Sequence, residues 1–275
     1  MTSRTRARRL LQAARHVTTA VRKVIWVLPR LDEAGKRSEI VHWSARALDI
    51  FNLTPADYAP RGGAARRPCL YVANHVSWVD VLAVWASFDT RFVAKTEVAQ
   101  WPVFGFLARR LDVIFIDRSR RSDTRDAVKI IADALRNGRS VCVFPEGTST
   151  EGNELRPFHS SLFQAAIDAG VHVQPIAIRY LRPDHTRAPE AAFVGDATLL
   201  RSMWQLAGAA ALKVDIAVLE PIATERNSRR DLAQAAEAQI RSHLSVPAES
   251  EPPARDRAMA DVVGAVFGAE ALSGR

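Results

Sequence analysis

The sequence predicts an α/β protein: a largely parallel, mixed sheet flanked by helices and preceded by an N-terminal helical pair suited to membrane binding. Three observations carry that expectation. Short apolar runs of strand length alternate with segments of helical periodicity through the middle of the chain, the pattern of a parallel sheet with crossover helices. Two of those runs break abruptly into polar turns, which is where such sheets place ligands. The first 30 residues combine arginines with apolar residues at helical spacing and contain no acid before Asp32.

The N-terminal helix comes first in order. Leu10, Ala14, Val17, Val21, Val24 and Leu28 recur at helical spacing, and Arg4, Arg6, Arg8, Arg9, Arg15, Arg22, Lys23 and Arg30 surround them. A basic amphipathic helix of this kind lies in the interface of an anionic membrane, and the net charge of +8 points the same way. Its longest apolar stretch, residues 24–28, is far short of the roughly 20 residues that span a bilayer. Two other readings stay open, an organelle transit peptide and a basic tail for nucleic acid. Residues 32–53 form a second helix, with Ile40, Trp43, Ala47, Ile50 and Phe51 on its apolar face. These segments divide the chain into a membrane-binding part (1–53), a Pro/Gly/Arg-rich linker (54–68), a globular domain (69–247) and a tail (248–275). The tail holds a possible short helix over 258–272.

Within the globular part, strands are expected at residues 70–73, 91–94, 113–117, 140–144, 172–179, 192–194 and 214–219, from their β-branched and aromatic apolar runs. Helices are expected at 78–87, 97–110, 123–136 and 159–168, with Gly138 and Gly170 placed as helix C-caps. Cys69 and Cys142 both fall inside strand patterns with no Cys-x-x-Cys or Cys/His cluster, so they read as buried thiols, and no metal site is expected. No Gly-x-Ser-x-Gly elbow, Walker loop or dinucleotide fingerprint occurs, which argues against a serine esterase, a P-loop enzyme and a dinucleotide enzyme.

The chemistry concentrates in two blocks. The first, Asn74-His75-Val76-Ser77-Trp78-Val79-Asp80, follows the apolar run 70–73. A neutral imidazole is suited to taking a proton near pH 7, and a carboxylate on its other nitrogen fixes the tautomer. Residues five apart on one helix are separated by roughly 140° and do not meet. Ser77 followed by Asp80 therefore suggests a helix that Ser77 caps and that starts at Trp78, leaving His75 in the turn before it. The second block is Phe144-Pro145-Glu146-Gly147-Thr148, where another apolar run breaks at a proline.

On these residues the chain resembles the glycerolipid acyltransferase family, which includes 1-acylglycerol-3-phosphate and other lysolipid acyltransferases. The family signature is an Asn-His-x-Ser-x-x-Asp block followed by Phe-Pro-Glu-Gly-Thr. Two further blocks fit it: residues 113–118, an apolar strand ending in Arg118, and residues 173–178, a strand with an early proline. The resemblance implies His75 as general base and Asp80 as its partner, Arg118 as a ligand for an anionic head group, and Glu146, Gly147 and Thr148 around the acceptor. Asn74, Ser77, Lys95, Arg156 and His159 are further candidates. It departs from the pattern at Ser149, where the family often has arginine, and at Asp112, where a glycine is usual. Arg156 or His159 could replace the missing cation, or the acceptor could carry another head group, as in lyso-ornithine lipid acyltransferases.

The implied reaction passes a fatty acyl group from acyl-CoA or acyl carrier protein, as co-substrate and with no other cofactor, to the hydroxyl of a lysolipid. The acceptor hydroxyl is itself the nucleophile. Backbone N–H groups after Ser77 or near Glu146 and Gly147 are the candidates for stabilising the oxyanion. Lysophosphatidate is the first acceptor and lyso-ornithine lipid the alternative, with no nucleic acid partner and a peripheral position on the cytoplasmic face of the inner membrane, against its anionic lipids. A non-catalytic membrane- or nucleic-acid-binding module would explain the basic N-terminus and leave His75, Asp80 and Glu146 unexplained.

Overall fold

The computed structural model describes residues 3–55, 67–100, 103–111, 113–116, 121–195 and 197–245. Among these residues seven strands form one sheet: β1 (Leu53–Pro55), β2 (Leu70–Ala73), β3 (Arg91–Lys95), β4 (Ile114–Ile116), β5 (Val141–Val143), β6 (Val173–Leu181) and β7 (Leu212–Val218). Their order is β1-β7-β6-β2-β5-β3-β4. Every pairing is parallel except β6 with β7. The mixed, largely parallel sheet expected from the alternation is therefore present. The chain leaves β2 for β3 and β4, returns to β5, and then crosses to β6 on the other side of β2. This reversal opens a crevice at the carboxyl ends of β5, β2 and β6.

Among the described residues eight helices cover the sheet: α1 (Ser3–Trp26), α2 (Glu33–Ile50), α3 (Val79–Ser87), α4 (Phe104–Arg110), α5 (Arg121–Arg136), α6 (Gln164–Ala169), α7 (Leu199–Ala207) and α8 (Arg229–Leu244). Strand alternation sorts the core into two layers. Tyr71, Ala73, Cys142, Ile176 and Ile178 face a cluster built with residues of α1, α2, α3 and α7. Leu70, Val72, Val141, Val143, Val173 and Ala177 face the other, with α5, α6 and α8. The central strands are apolar throughout because both faces are covered.

Several elements differ from expectation. The second helix stops at Ile50, and Leu53–Pro55 becomes an edge strand on β7. The expected 97–110 helix is a 3-10 turn at Thr96–Gln100 followed by α4. The 159–168 helix is likewise split, into a 3-10 turn at Ser160–Phe163 and α6. Residues 192–194 are not a strand; a single bond from Phe193 N–H to Val76 O (2.9 Å) ties them to the turn after β2. β6 runs on to Leu181 because its antiparallel partner β7 extends it. Neither α7 nor α8 was expected, although Ser228 and Asp231 form a capping box at the start of α8. Gly138 and Gly170 do follow α5 and α6 with left-handed backbones, as C-caps should. The possible helix of the tail and linker residues 56–66 lie outside the described residues.

The N-terminal segment packs much of its apolar stripe against the protein: Val24 and Leu28 are buried, Leu10, Val17 and Val21 half-buried, and Ala14 exposed. Ala13, Ala20, Val24 and Leu28 are buried against the protein. Arg9 is buried too, donating to Ala207 O (3.1 Å) and Ala209 O (2.9 Å) at the carboxyl end of α7. That is where a helix dipole favours a cation. Left exposed are Leu11, Ile25, Trp26 and Val27 on this segment, Val103 and Phe104 at α4, and Leu200 and Trp204 on α7. No described helix is long and apolar enough to cross a membrane.

Candidate active site

β2 ends at Ala73, and Asn74 continues its pairing with a side chain. The Asn74 amide donates to Ile178 O (2.8 Å) and accepts from Ile178 N–H (2.7 Å), so both its ends are engaged with β6. The chain then turns before α3. Asp80, in the first turn of α3, folds its carboxylate back over that turn: Oδ2 accepts from His75 Nδ1 (2.7 Å), Val76 N–H (2.7 Å) and Ser77 N–H (2.9 Å). His75 and Asp80 meet because only Asp80 is helical. The helix begins at Val79, and the Ser77 hydroxyl does not cap it; that hydroxyl is buried with no partner among the described residues, while the acid supplies the capping half of the interaction.

With Nδ1–H donated to Asp80, His75 presents the lone pair of Nε2, which is buried and has no partner among the described residues. Its ring stacks on Phe144 with centroids 4.1 Å apart, and Phe144 stacks in turn on Phe92 at 5.8 Å. Phe144 and Phe92 belong to the wall of an apolar pocket, partly open to solvent, lined by residues of α1, α2, α3, α4 and α7. Among the described residues of its lining His16 is the one titratable side chain, and Trp43, Trp78, Leu107 and Met203 are among its apolar walls. Phe144 thus links the imidazole to that wall.

The second block closes the other side. After β5, Gly147 adopts φ 75°, a left-handed conformation, and its N–H turns back to Phe144 O at 3.2 Å, so this amide is not a free oxyanion donor. The turn pushes Glu146 inward. Its Oε1 accepts from His75 N–H (2.7 Å) and its Oε2 from Arg156 N–H (3.0 Å). Burial pushes the Glu146 carboxyl up to about 8, opposed by those two N–H bonds and assisted by nearby Asp80. Thr150 N–H closes the contact by donating to His75 O at 2.9 Å. Glu146 thus holds the backbone of the histidine turn.

The remaining candidates scatter. Thr148 is half-buried in the same turn. The Ser149 hydroxyl is buried and donates to Phe193 O. Arg156 is exposed beside Glu146. The N–H of half-buried His159 donates to Pro145 O (2.9 Å). Lys95 is the last residue of β3. Arg118 lies outside the described residues. Sequence reasoning missed Tyr180, whose hydroxyl donates to Asp80 Oδ1 at 2.6 Å. It also missed the aromatic wall, because its members come from strands and helices distant in sequence.

A histidine oriented by a buried carboxylate at the carboxyl end of a parallel strand, beside an apolar pocket, is an arrangement that can activate a hydroxyl for acyl transfer. A family model described as Acyltransferase matches residues 51–179, and the chain belongs to this acyltransferase family. It is 37% identical to the lyso-ornithine lipid O-acyltransferase of Pseudomonas aeruginosa, over 87% of this chain and 94% of that protein. It is 33% identical to the 1-acyl-sn-glycerol-3-phosphate acyltransferase of Neisseria gonorrhoeae, over 71% and 74% of the two chains. The fold matches the crystal structure of the 1-acyl-sn-glycerophosphate acyltransferase PlsC from Thermotoga maritima with a TM-score of 0.62. That match has 20% identity and covers 88% of this chain and 93% of the other.

Proposed function

We propose that this acyltransferase moves a fatty acyl group from the thioester of acyl-CoA or acyl carrier protein to the free hydroxyl of lyso-ornithine lipid. The observation that carries the mechanism is the buried Nε2 of His75, without a partner among the described residues and fixed through Nδ1 on Asp80. Nε2 takes the acceptor proton as the oxygen attacks the thioester carbonyl, and Asp80 stabilises the imidazolium. The proton then passes to the leaving thiolate. The fatty chain lies in the apolar cavity, where each buried methylene contributes about 0.8 kcal/mol to binding.

The ornithine acceptor has two supports. Ser149 stands where much of the family carries arginine, and its hydroxyl is turned inward to Phe193. The Pseudomonas relative carries that activity in its name. Lysophosphatidate is the second reading, favoured by the Neisseria relative and by exposed Arg156 beside the site. Arg118 keeps its proposed role as a head-group ligand.

The enzyme works from the surface of an anionic membrane on the cytoplasmic side, where its soluble thioester donors are available. Exposed Arg4, Arg8, Arg15, Arg22 and Arg30 on or just after α1 meet lipid phosphates, while Leu11, Trp26, Phe104, Leu200 and Trp204 enter the interface. α1, α4 and α7 supply both these exposed groups and part of the cavity wall, so the docked face adjoins the route of the acyl chain.

The test is thiol release from acyl-CoA by purified protein with lyso-ornithine lipid, with lysophosphatidate, or with no acceptor. Release confined to the ornithine lipid, and lowered about 10²- to 10⁴-fold in His75→Ala, is expected. Release with lysophosphatidate alone transfers the assignment to the second reading. Release independent of His75 removes the general-base mechanism.

A further inference from the structure

We infer that Tyr180 is a positioning residue of the His75–Asp80 pair, its hydroxyl fixing the carboxylate that orients the imidazole. The inference rests on His75 acting as the general base.

Asp80 is fully buried, and its two oxygens are served differently. Oδ2 takes the imidazole and the two N–H groups of its own turn. Those donors lie within five residues of Asp80 and move with the turn. Oδ1 is engaged from outside by Tyr180 at 2.6 Å, from β6, 100 residues away in sequence. Without this bond the carboxylate is held only by donors that move with its own turn, and no hydrogen bond from outside that turn, among the described residues, fixes it or the imidazole it orients. β6 itself is anchored to the same turn, since Asn74 binds both backbone groups of Ile178. Strand β6 is thereby the rigid element to which base and orienter are both referenced.

Tyr180 is 4% exposed, and it does not line the apolar cavity. Burial, and then the adjoining Asp80 charge, push its hydroxyl well above the usual tyrosine value, so it stays a proton donor throughout the working range. The other titratable groups around Asp80 are His75 in the turn, Cys142 on β5 and Glu146 beyond β5. The Cys142 thiol is also pushed up by burial and remains neutral. Tyr180 is therefore the only neutral side-chain hydroxyl that donates to this carboxylate among the described residues.

Tyr180→Phe keeps the ring and removes the one donor. A hydrogen bond to a buried charge is strong enough that its loss lowers kcat roughly tenfold to a hundredfold. KM for acyl-CoA stays unchanged. The acid limb of the kcat/KM–pH profile moves to higher pH, because the carboxylate, relieved of one donor, holds the imidazolium more tightly. The same displacement is read without turnover by NMR titration of the His75 resonance in ¹³C-histidine-labelled protein, assigned by its absence in His75→Ala. An unmoved limb together with an unmoved NMR titration, or a loss confined to KM, overturns the inference even if His75→Ala is inactive. An active His75→Ala overturns the base assignment, and the inference falls with it.

Discussion

Replacing Glu146 with glutamine isolates the energetic role of the second block. Glu146 is 3% exposed, and burial, opposed by the N–H groups of Arg156 and His75, raises its carboxyl from 4.5 to about 8. The unfolded chain releases this proton at the ordinary value, whereas the folded chain holds it until about 8. Between those limits the folded state binds more protons, so stability falls as pH rises, by roughly 1.4 kcal/mol per pH unit. The contribution is fully present below about 4.5 and lost by about 8, and it amounts to at most ~5 kcal/mol. Glutamine cannot ionise, and it also turns a donor toward one of the two backbone N–H groups, a pH-independent cost of about 1–3 kcal/mol. Urea unfolding of wild type and Glu146→Gln at pH 5 and pH 8.5 separates the effects, because other titrations cancel in the difference. The wild-type advantage should shrink by several kcal/mol between the two pH values. A gap that stays constant refutes the claim that the folded state retains a proton on this carboxyl.

Three further outcomes are expected. Arg9→Met strips the α7 terminus of its two bonds from a buried guanidinium and should lower stability by about 2 kcal/mol, read as a drop of roughly 4–8 °C in Tm. Ala108→Phe fills part of the apolar cavity from α4, and competition between long and short acyl-CoA donors should move toward the shorter chain, with an unchanged His75 dependence. Leu11→Ser with Trp26→Ser should weaken sedimentation with anionic vesicles several-fold while leaving turnover of detergent-dispersed substrate near wild type, since neither side chain lines the cavity.

Much of this enzyme was legible in the sequence because its chemistry is local. The polar turns after β2 and β5 interrupt apolar runs abruptly, and the histidine and the glutamate stand within those turns, with the acid directly after the first. The same locality made the parallel sheet readable, since strands covered on both faces are apolar throughout. What only the tertiary structure decided comes from contacts made across long stretches of chain. Tyr180 reaches Asp80 from 100 residues away, Glu146 braces His75 from 71 away, and Arg9 caps a helix 198 residues on. The packing of much of the N-terminal apolar stripe against the protein was decided in the same way, because periodicity records that a helix has an apolar face and not whether protein or lipid will cover it. The cavity is the extreme case: α1, α2, α3, α4 and α7 each lend it a few side chains, and the space exists only after they pack.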